Sequence, residues 1–193
     1  MTKKAINIVW FKRDLSFTDH EPLFMAQQEN IPTLLVYFFE PSVMAYDDSD
    51  IRHWRFVYES LQEMQSKLKS VHAQIYFFYN EVQTVFKELL EIYDVKTVFS
   101  HQEIGNKVTF DRDIAMQSFF DDNTIHWKQS QLHGVIRKLK SRNDWDKRWE
   151  NVMRAEPKII NINELKTETL ETNFYTRLKG NELPKDIITH NKN

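Results

Sequence analysis

The chain has 193 residues, enough for one domain or one domain with an appendage. A hydrophobic share of 41% with 14 Phe supports a sizeable core, and a formal charge of -2 gives no global attraction to nucleic acid or anionic membrane. The absence of Cys excludes disulfides, thiolate metal sites and cysteine nucleophiles, and 3 Gly cannot build a P-loop or a dinucleotide-binding glycine fingerprint.

Strand-like and helix-like runs alternate along the first two thirds. Ile6–Phe11 is an apolar run of strand length that breaks into Lys12-Arg13-Asp14. Thr18-Asp19-His20-Glu21-Pro22 then reads as a helix start, with cap residues and an early proline, and predicts a helix over Glu21–Glu29. Thr33–Phe39 is β-rich and apolar throughout, as expected of a strand covered on both faces. Ile51–Lys69 places Trp54, Val57, Leu61, Met64 and Leu68 three or four apart, an amphipathic helix. Ala73–Tyr79 is a third strand, Glu81–Tyr93 a helix and Lys96–Ser100 a fourth strand. Asn106–Asp121 is a helix and Thr124–Gln129 a fifth strand. Five strands separated by helices predict an α/β domain, a doubly wound five-stranded parallel sheet with helices on both faces. Ligands of such sheets bind beyond the carboxyl ends of the strands, at the switch point in strand order.

After about residue 130 the alternation stops. Residues 134–157 read as a loop and a helix rich in Lys, Arg and Trp. Residues 158–193 are polar and weakly periodic, a linker-like tail with short helical pieces. The division is therefore 1–133, 134–157 and 158–193. A protease is expected to cut first beyond Pro157 and to leave a core of about residues 1–155.

The opening Trp10-Phe11-Lys12-Arg13-Asp14-Leu15, followed by Asp19-His20 and Pro22-Leu23, resembles the start of the photolyase/cryptochrome family. Lys12 and Ser16 stand at variable or usually basic positions of that pattern. Phe38-Phe39-Glu40-Pro41 is similar to the family's second strand exit. Arg52-His53-Trp54-Arg55-Phe56 with Ser60-Leu61 is similar to its next helix start. Ser100-His101-Gln102-Glu103-Ile104-Gly105-Asn106, Phe110-Asp111-Arg112-Asp113 and the run from Gly134 through Trp145 to Pro157 continue the likeness in order. The resemblance implies a Rossmann-like antenna domain, which in many relatives holds a second, light-harvesting chromophore of flavin, deazaflavin, lumazine or folate type. It also implies that FAD belongs to a helical C-terminal domain outside these residues. DNA would be met only indirectly through that partner, and the chain would have no catalytic residues of its own. Two alternatives remain: the N-terminal part of a deoxyribodipyrimidine photolyase that needs a separate FAD domain, and a stand-alone nucleotide- or flavin-binding module.

Candidate ligand contacts follow from the strand exits. Lys12 and Arg13 offer a cationic edge for a phosphate or an anionic tail. The opposing reading is that Arg13 and Asp14 pair with each other and pin the turn. Arg52, at a helix N-terminus, would hold an anion, and Arg52→Ala is expected to weaken binding more than Lys140→Ala. Glu40 and Glu103 leave strands toward one rim and could accept hydrogen bonds from a ring, or could be capping or exposed carboxylates. Phe11, Phe38 and Phe39 could stack on a ring, or alternate into the core. His20, His53, His72, His101, His126, His133 and His190 are scattered, with no compact metal-ligand spacing, so no metal is expected. Ser100-His101 is no hydrolase dyad, because strand neighbours point to opposite faces. Basic residues of 128–158 interleave with Trp145 and Trp149, but Asp144, Asp146, Glu150 and Glu156 dilute a nucleic-acid signal. The exposed aromatics favour a docking surface, and a weak homodimer is the expected self-association. No apolar run approaches the ~20 residues of a bilayer span. No signal-peptide core follows Met1-Thr2-Lys3-Lys4, and a cytoplasmic setting is expected.

Overall fold

The computed structural model describes residues 2–132, 134–137, 139 and 141–189; His133, Lys138, Lys140, His190 and the end of the chain, named above, lie outside the described residues. Five strands form one all-parallel sheet in the order β3-β2-β1-β4-β5. They are β1 (Lys4–Phe11), β2 (Thr33–Phe38), β3 (Ile75–Phe78), β4 (Tyr93–His101) and β5 (His126–Ser130). The helices between them are α1 (Glu21–Gln28), α2 (Pro41–Met44), α3 (Ile51–Leu68), α4 (Val82–Ile92) and α5 (Lys107–Asp122). The expected doubly wound sheet is the observed one. Strand β4 starts three residues earlier than expected, because Tyr93 pairs with Lys4 of β1 and buries its ring.

Strand alternation sorts the apolar residues between the two faces. Ile6, Ile8 and Trp10 of β1, with Leu34, Val36 and Phe38 of β2, meet Val85, Phe86 and Leu89 of α4 and Phe120 of α5. Val9 and Phe11, with Leu35, Tyr37 and Phe39, meet Leu23 of α1 and Leu61 and Met64 of α3. Both faces are covered, which explains the near-continuous apolar runs of β1 and β2. Helix α1 opens on His20, whose Nδ1 accepts from Leu23 N–H at 3.0 Å. Helix α5 opens on Asn106, whose Oδ1 accepts from Thr109 N–H at 3.2 Å. These caps satisfy donors that a helix start leaves unpaired.

Past β5 come α6 (Trp145–Met153), α7 (Thr172–Leu178) and α8 (Lys185–Ile188). The linker-like tail expected over 158–193 is instead a packed belt through residue 189. Ile160, Ile162 and Leu165 lie against the α1/α3 face, whereas Leu170 and Leu178 are buried in the α4/α5 face. The belt bonds to the start of β2, where Thr33 N donates to Lys166 O (2.9 Å) and Glu168 N donates to Thr33 O (3.0 Å). It then covers the edge strand β3: Tyr175 Oη donates to Phe77 O at 3.0 Å, and Tyr79 N to Lys179 O at 2.6 Å. Gly180 adopts φ 78°, and a Cβ there would stand 2.0 Å from Tyr79 O, so only glycine lets the belt approach so closely. Finally α8 packs on α3, with Ile187 buried and Arg55 Nε donating to Asp186 O at 2.6 Å. A sheet edge needs such a cover, and here the chain's own tail supplies it. Helix α6 is the exception, with no buried residue.

Candidate functional site

The connections after β1 and β2 run to one face of the sheet and that after β4 to the other, so a crevice opens between β1 and β4 at their carboxyl ends. A cleft of about 750 Å³ lies there. Its walls come from the exits of β1, β2 and β4, the first turns of α3, and Thr109 and Arg112 of α5. Trp54, Phe56 and Val57 of α3 form an apolar side, and Phe56 is 69% exposed at the mouth. Trp54 is fixed in place: its Nε1 donates to Ser49 Oγ at 2.6 Å, and its ring meets buried Phe39 with centroids 6.1 Å apart.

The floor is a network of three cations and three carboxylates. Lys12 Nζ pairs with Asp113 Oδ2 at 2.7 Å and sits over the rings of Trp10 (4.4 Å) and Trp127 (5.0 Å). Burial, reinforced by nearby Arg112, pushes Lys12 below the usual lysine range against the pull of Asp113. Arg112 donates through Nη1 to Glu40 Oε1, and through Nη2 to Glu103 Oε2 (2.9 Å) and Asp113 Oδ1 (3.0 Å). Burial would lower Arg112, but Glu40, Asp113 and Glu103 together raise it further above its ordinary value. Glu103 Oε1 accepts from Arg13 Nε (2.9 Å), Ile104 N–H (3.0 Å) and Gly105 N–H (2.7 Å). Burial would raise Glu103, yet Arg112 and Arg13 outweigh it and hold the carboxyl low. Burial pushes Glu40 up to about 7, because Arg112 offsets only part of the cost and Glu81 adds like charge. Its Oε2 is buried without a hydrogen-bond partner among the described residues.

Phe11, Lys12, Arg13, Phe38, Glu40 and Glu103 all line this cleft, though the Phe11 and Phe38 side chains are largely core. Two expected contacts stand elsewhere. Arg52 is turned outward and pairs with Asp50, the N-cap of its own helix, at 2.9 Å. Phe39 lies behind Trp54 in the α1/α3 core. Arg112, Trp54 and Phe56 also line the cleft, beyond the residues expected from the strand exits. All three occur in the motifs quoted above and sit on helix turns adjoining strand exits.

Arg13 and Asp14 do not pair with each other. Asp14 Oδ1 accepts from Lys12 N–H at 3.0 Å, and Oδ2 faces His101 Nδ1 at 2.6 Å and also His20 Nε2. Burial would raise Asp14, but the hydrogen bonds from His101 and His20 outweigh it and hold the carboxyl far below its ordinary value. His20 and His101, far apart in the chain, converge on Asp14, with ligand atoms within 4.8 Å of one another. The tautomer decides what this group does. His20 Nδ1 accepts from Leu23 N–H, which places a ring proton on Nε2, facing Asp14 Oδ2. A protonated Nε2 is no metal ligand, and the three side chains form a hydrogen-bonded pin that ties the β1 exit loop to the end of β4. Among the described residues, no helix is long and apolar enough to cross a membrane.

Comparisons with known proteins bear on the fold and the family. The curated "Cryptochrome DASH" of Synechocystis is 26% identical over 102 residues, covering 50% of this chain and 21% of that protein. The "Blue-light photoreceptor PHR2" of Arabidopsis thaliana is 27% identical over 104 residues, covering 51% of this chain and 23% of its own. The chain thus spans less than a quarter of the length of these two relatives. The Sulfolobus tokodaii photolyase, solved with two FAD molecules, superposes with a TM-score of 0.67 at 18% identity over 93% of this chain and 42% of its own. The class III photolyase of Agrobacterium tumefaciens gives 0.64 at 16% identity over 89% of this chain and 36% of its own. At such identities the two structures speak for the fold alone. The family model "DNA photolyase" matches residues 7–147, from the middle of β1 into α6, so the cleft and all its walls lie inside the match and the chain belongs to the DNA photolyase family.

Proposed function

We propose that this chain is the antenna-chromophore-binding domain of a photolyase- or cryptochrome-like flavoprotein. The observation that carries the reading is the cleft at the β1/β4 switch point, with one apolar aromatic wall and a charged, hydrogen-bonded floor. At about 750 Å³ it falls within the ~300–1,000 Å³ of ordinary small-molecule sites. A planar heteroaromatic ring fits this pairing of surfaces: its faces contact Trp54 and Phe56, and its polar edge meets the floor. The second FAD in the Sulfolobus tokodaii photolyase supports a flavin-type occupant, and deazaflavin, lumazine and folate share the same edge chemistry.

In this reading, Glu103 and Arg112 shape the floor, and Arg13, half-exposed at the rim, is placed to meet an anionic tail. FAD photochemistry belongs to a C-terminal partner domain, and DNA is reached only through it. The chain alone is not catalytic, and its setting is the cytoplasm. The test is titration of the purified chain with flavin, deazaflavin, lumazine and folate, followed by ligand absorbance and tryptophan quenching. Saturable binding of one class is expected. Phe56→Ala should weaken it roughly fivefold, the share of about 1 kcal/mol that one aromatic contact supplies. The unfolding midpoint should not move, because Phe56 is mostly exposed. Failure of all four classes to bind would remove the antenna role.

A further inference from the structure

We infer that Glu40 reads the polar edge of the ligand: its Oε2 accepts the ring N–H of a pyrimidinone or pyrimidinedione, so the ring enters the cleft polar edge first. The inference rests on the chromophore reading above and names the group that orients the ring. Glu40 follows β2 and Phe39 directly and occupies the N-cap of α2, but its side chain makes no capping bond. It is 3% exposed, lines the cleft, and is held through Oε1 by Arg112.

The second oxygen, Oε2, is buried without a hydrogen-bond partner among the described residues. Leaving a carboxylate oxygen unpaired in a dry site is costly, so its retention calls for a donor. Neighbouring groups are already engaged. Lys12 is on Asp113, Arg112 joins three carboxylates, and both oxygens of Glu103 accept. An anionic tail would meet like charge at Glu40, which leaves it to the outer rim near Arg13. A hydrocarbon edge would leave the oxygen unpaired. Flavins, deazaflavins, lumazines and pterins share one fitting group, the N–H between or beside ring carbonyls.

The test, at pH 7.5 where Glu40 is mostly ionised, compares three parent rings (riboflavin, lumazine and pterin) with their N3-methyl derivatives, on the wild type, Glu40→Gln and Glu40→Ala. Methylation deletes the donor and leaves the ring stack. For each parent that binds wild type, methylation is expected to weaken binding by about tenfold or more, the loss of one charge-assisted bond. In Glu40→Ala the methyl penalty should shrink below about threefold, since the bond is already gone. Glu40→Gln keeps the shape of the site and should fall between the two. A parent ring that binds tightly but shows the same methyl penalty in wild type and both variants would overturn the role of Glu40 and leave the antenna reading intact. Equal affinity of methylated and parent rings for wild type would do so without any variant. If no ring binds wild type, the antenna reading falls and this inference with it.

Discussion

Individual residues of the cleft floor carry opposite consequences for stability. Glu40 takes up its proton far more readily when folded, moving from 4.5 to about 7. Between those values the native state holds a proton that the unfolded chain has released, so stability falls as pH rises through the window. The contribution is fully present below 4.5 and is lost by the time pH passes about 7. A shift of that size corresponds to about 3 kcal/mol. Glu40→Gln removes this titration, so wild type should lose about 3 kcal/mol relative to the variant between pH 4.5 and 7.5, read from denaturant midpoints. A wild-type-to-variant gap that does not change with pH would show that Arg112 keeps Glu40 ionised throughout. Gly105 acts through geometry. A Cβ there would approach Arg13 Nη2 at 2.1 Å, Glu103 Oε1 at 2.7 Å and Thr109 Oγ1 at 2.8 Å. These are side-chain ends that can move, so Gly105→Ala should displace Arg13 from Glu103 and cost ligand affinity more than stability. Roughly a tenfold loss of binding with a stability change under about 1 kcal/mol is expected, and the reverse pattern would count against the rim role of Arg13. Glu40, Glu103, Lys12 and Arg13 were legible because residues at strand exits of a doubly wound sheet share one rim. Arg52 misled because a helix start offers an anion site only when its cap leaves the arginine free, and here Asp50 takes it.

At the scale of elements, the alternation of apolar runs with amphipathic helices identified every sheet strand and the four helices that cover its two faces, since each must bury a face. The belt after α6 escaped the same logic for a physical reason. Leu165, Leu170, Leu178 and Ile187 pack one at a time as the chain crosses from one face of the sheet to the other and back. A segment that wraps an edge has no single buried face, and therefore no period. Its short helices rely on tertiary contacts, as helices of that length must. The belt should therefore be sensitive to single truncations. Leu178→Ala is expected to cost about 3 kcal/mol as a buried leucine cavity, and Tyr175→Phe about 1 kcal/mol for the bond to Phe77 O. Urea unfolding followed by tryptophan fluorescence, with Trp10 on the central strand and Trp127 on the far edge strand, checks whether the loss is global. Unchanged midpoints for both variants would mean that the belt is an ornament on an already stable sheet.

The whole molecule joins a sheet sandwiched by four main helices, an external belt and a nine-residue helix, α6, that buries no residue. Helix α6 projects Trp145 and Trp149, stacked 6.4 Å apart, together with Val152 and Met153, all at least 38% exposed. It carries Arg142, Lys147, Arg148 and Arg154 within or beside it, so trypsin has several sites in a segment with little to hold it closed. The belt offers trypsin as many basic residues, yet its backbone is bonded to Thr33 and Tyr79, and its side chains are buried on both faces. Cleavage needs about ten residues to leave their contacts, which is easy at α6 and requires global loosening at the belt. The first cuts should therefore fall between Arg142 and Arg154, rather than beyond Pro157 as composition alone predicts. The resulting pieces, residues 1 to about 147 and about 155 onward, should remain together. A denaturing gel would show two bands, while gel filtration of the nicked protein would show one species of unchanged size. The nicked species should also keep whatever ligand affinity the intact chain has, because no cleft residue lies between 142 and 154. Early loss of the C-terminal band, with a resistant core ending near residue 155, would instead mean that the belt detaches readily and that the β3 edge is normally covered by something else.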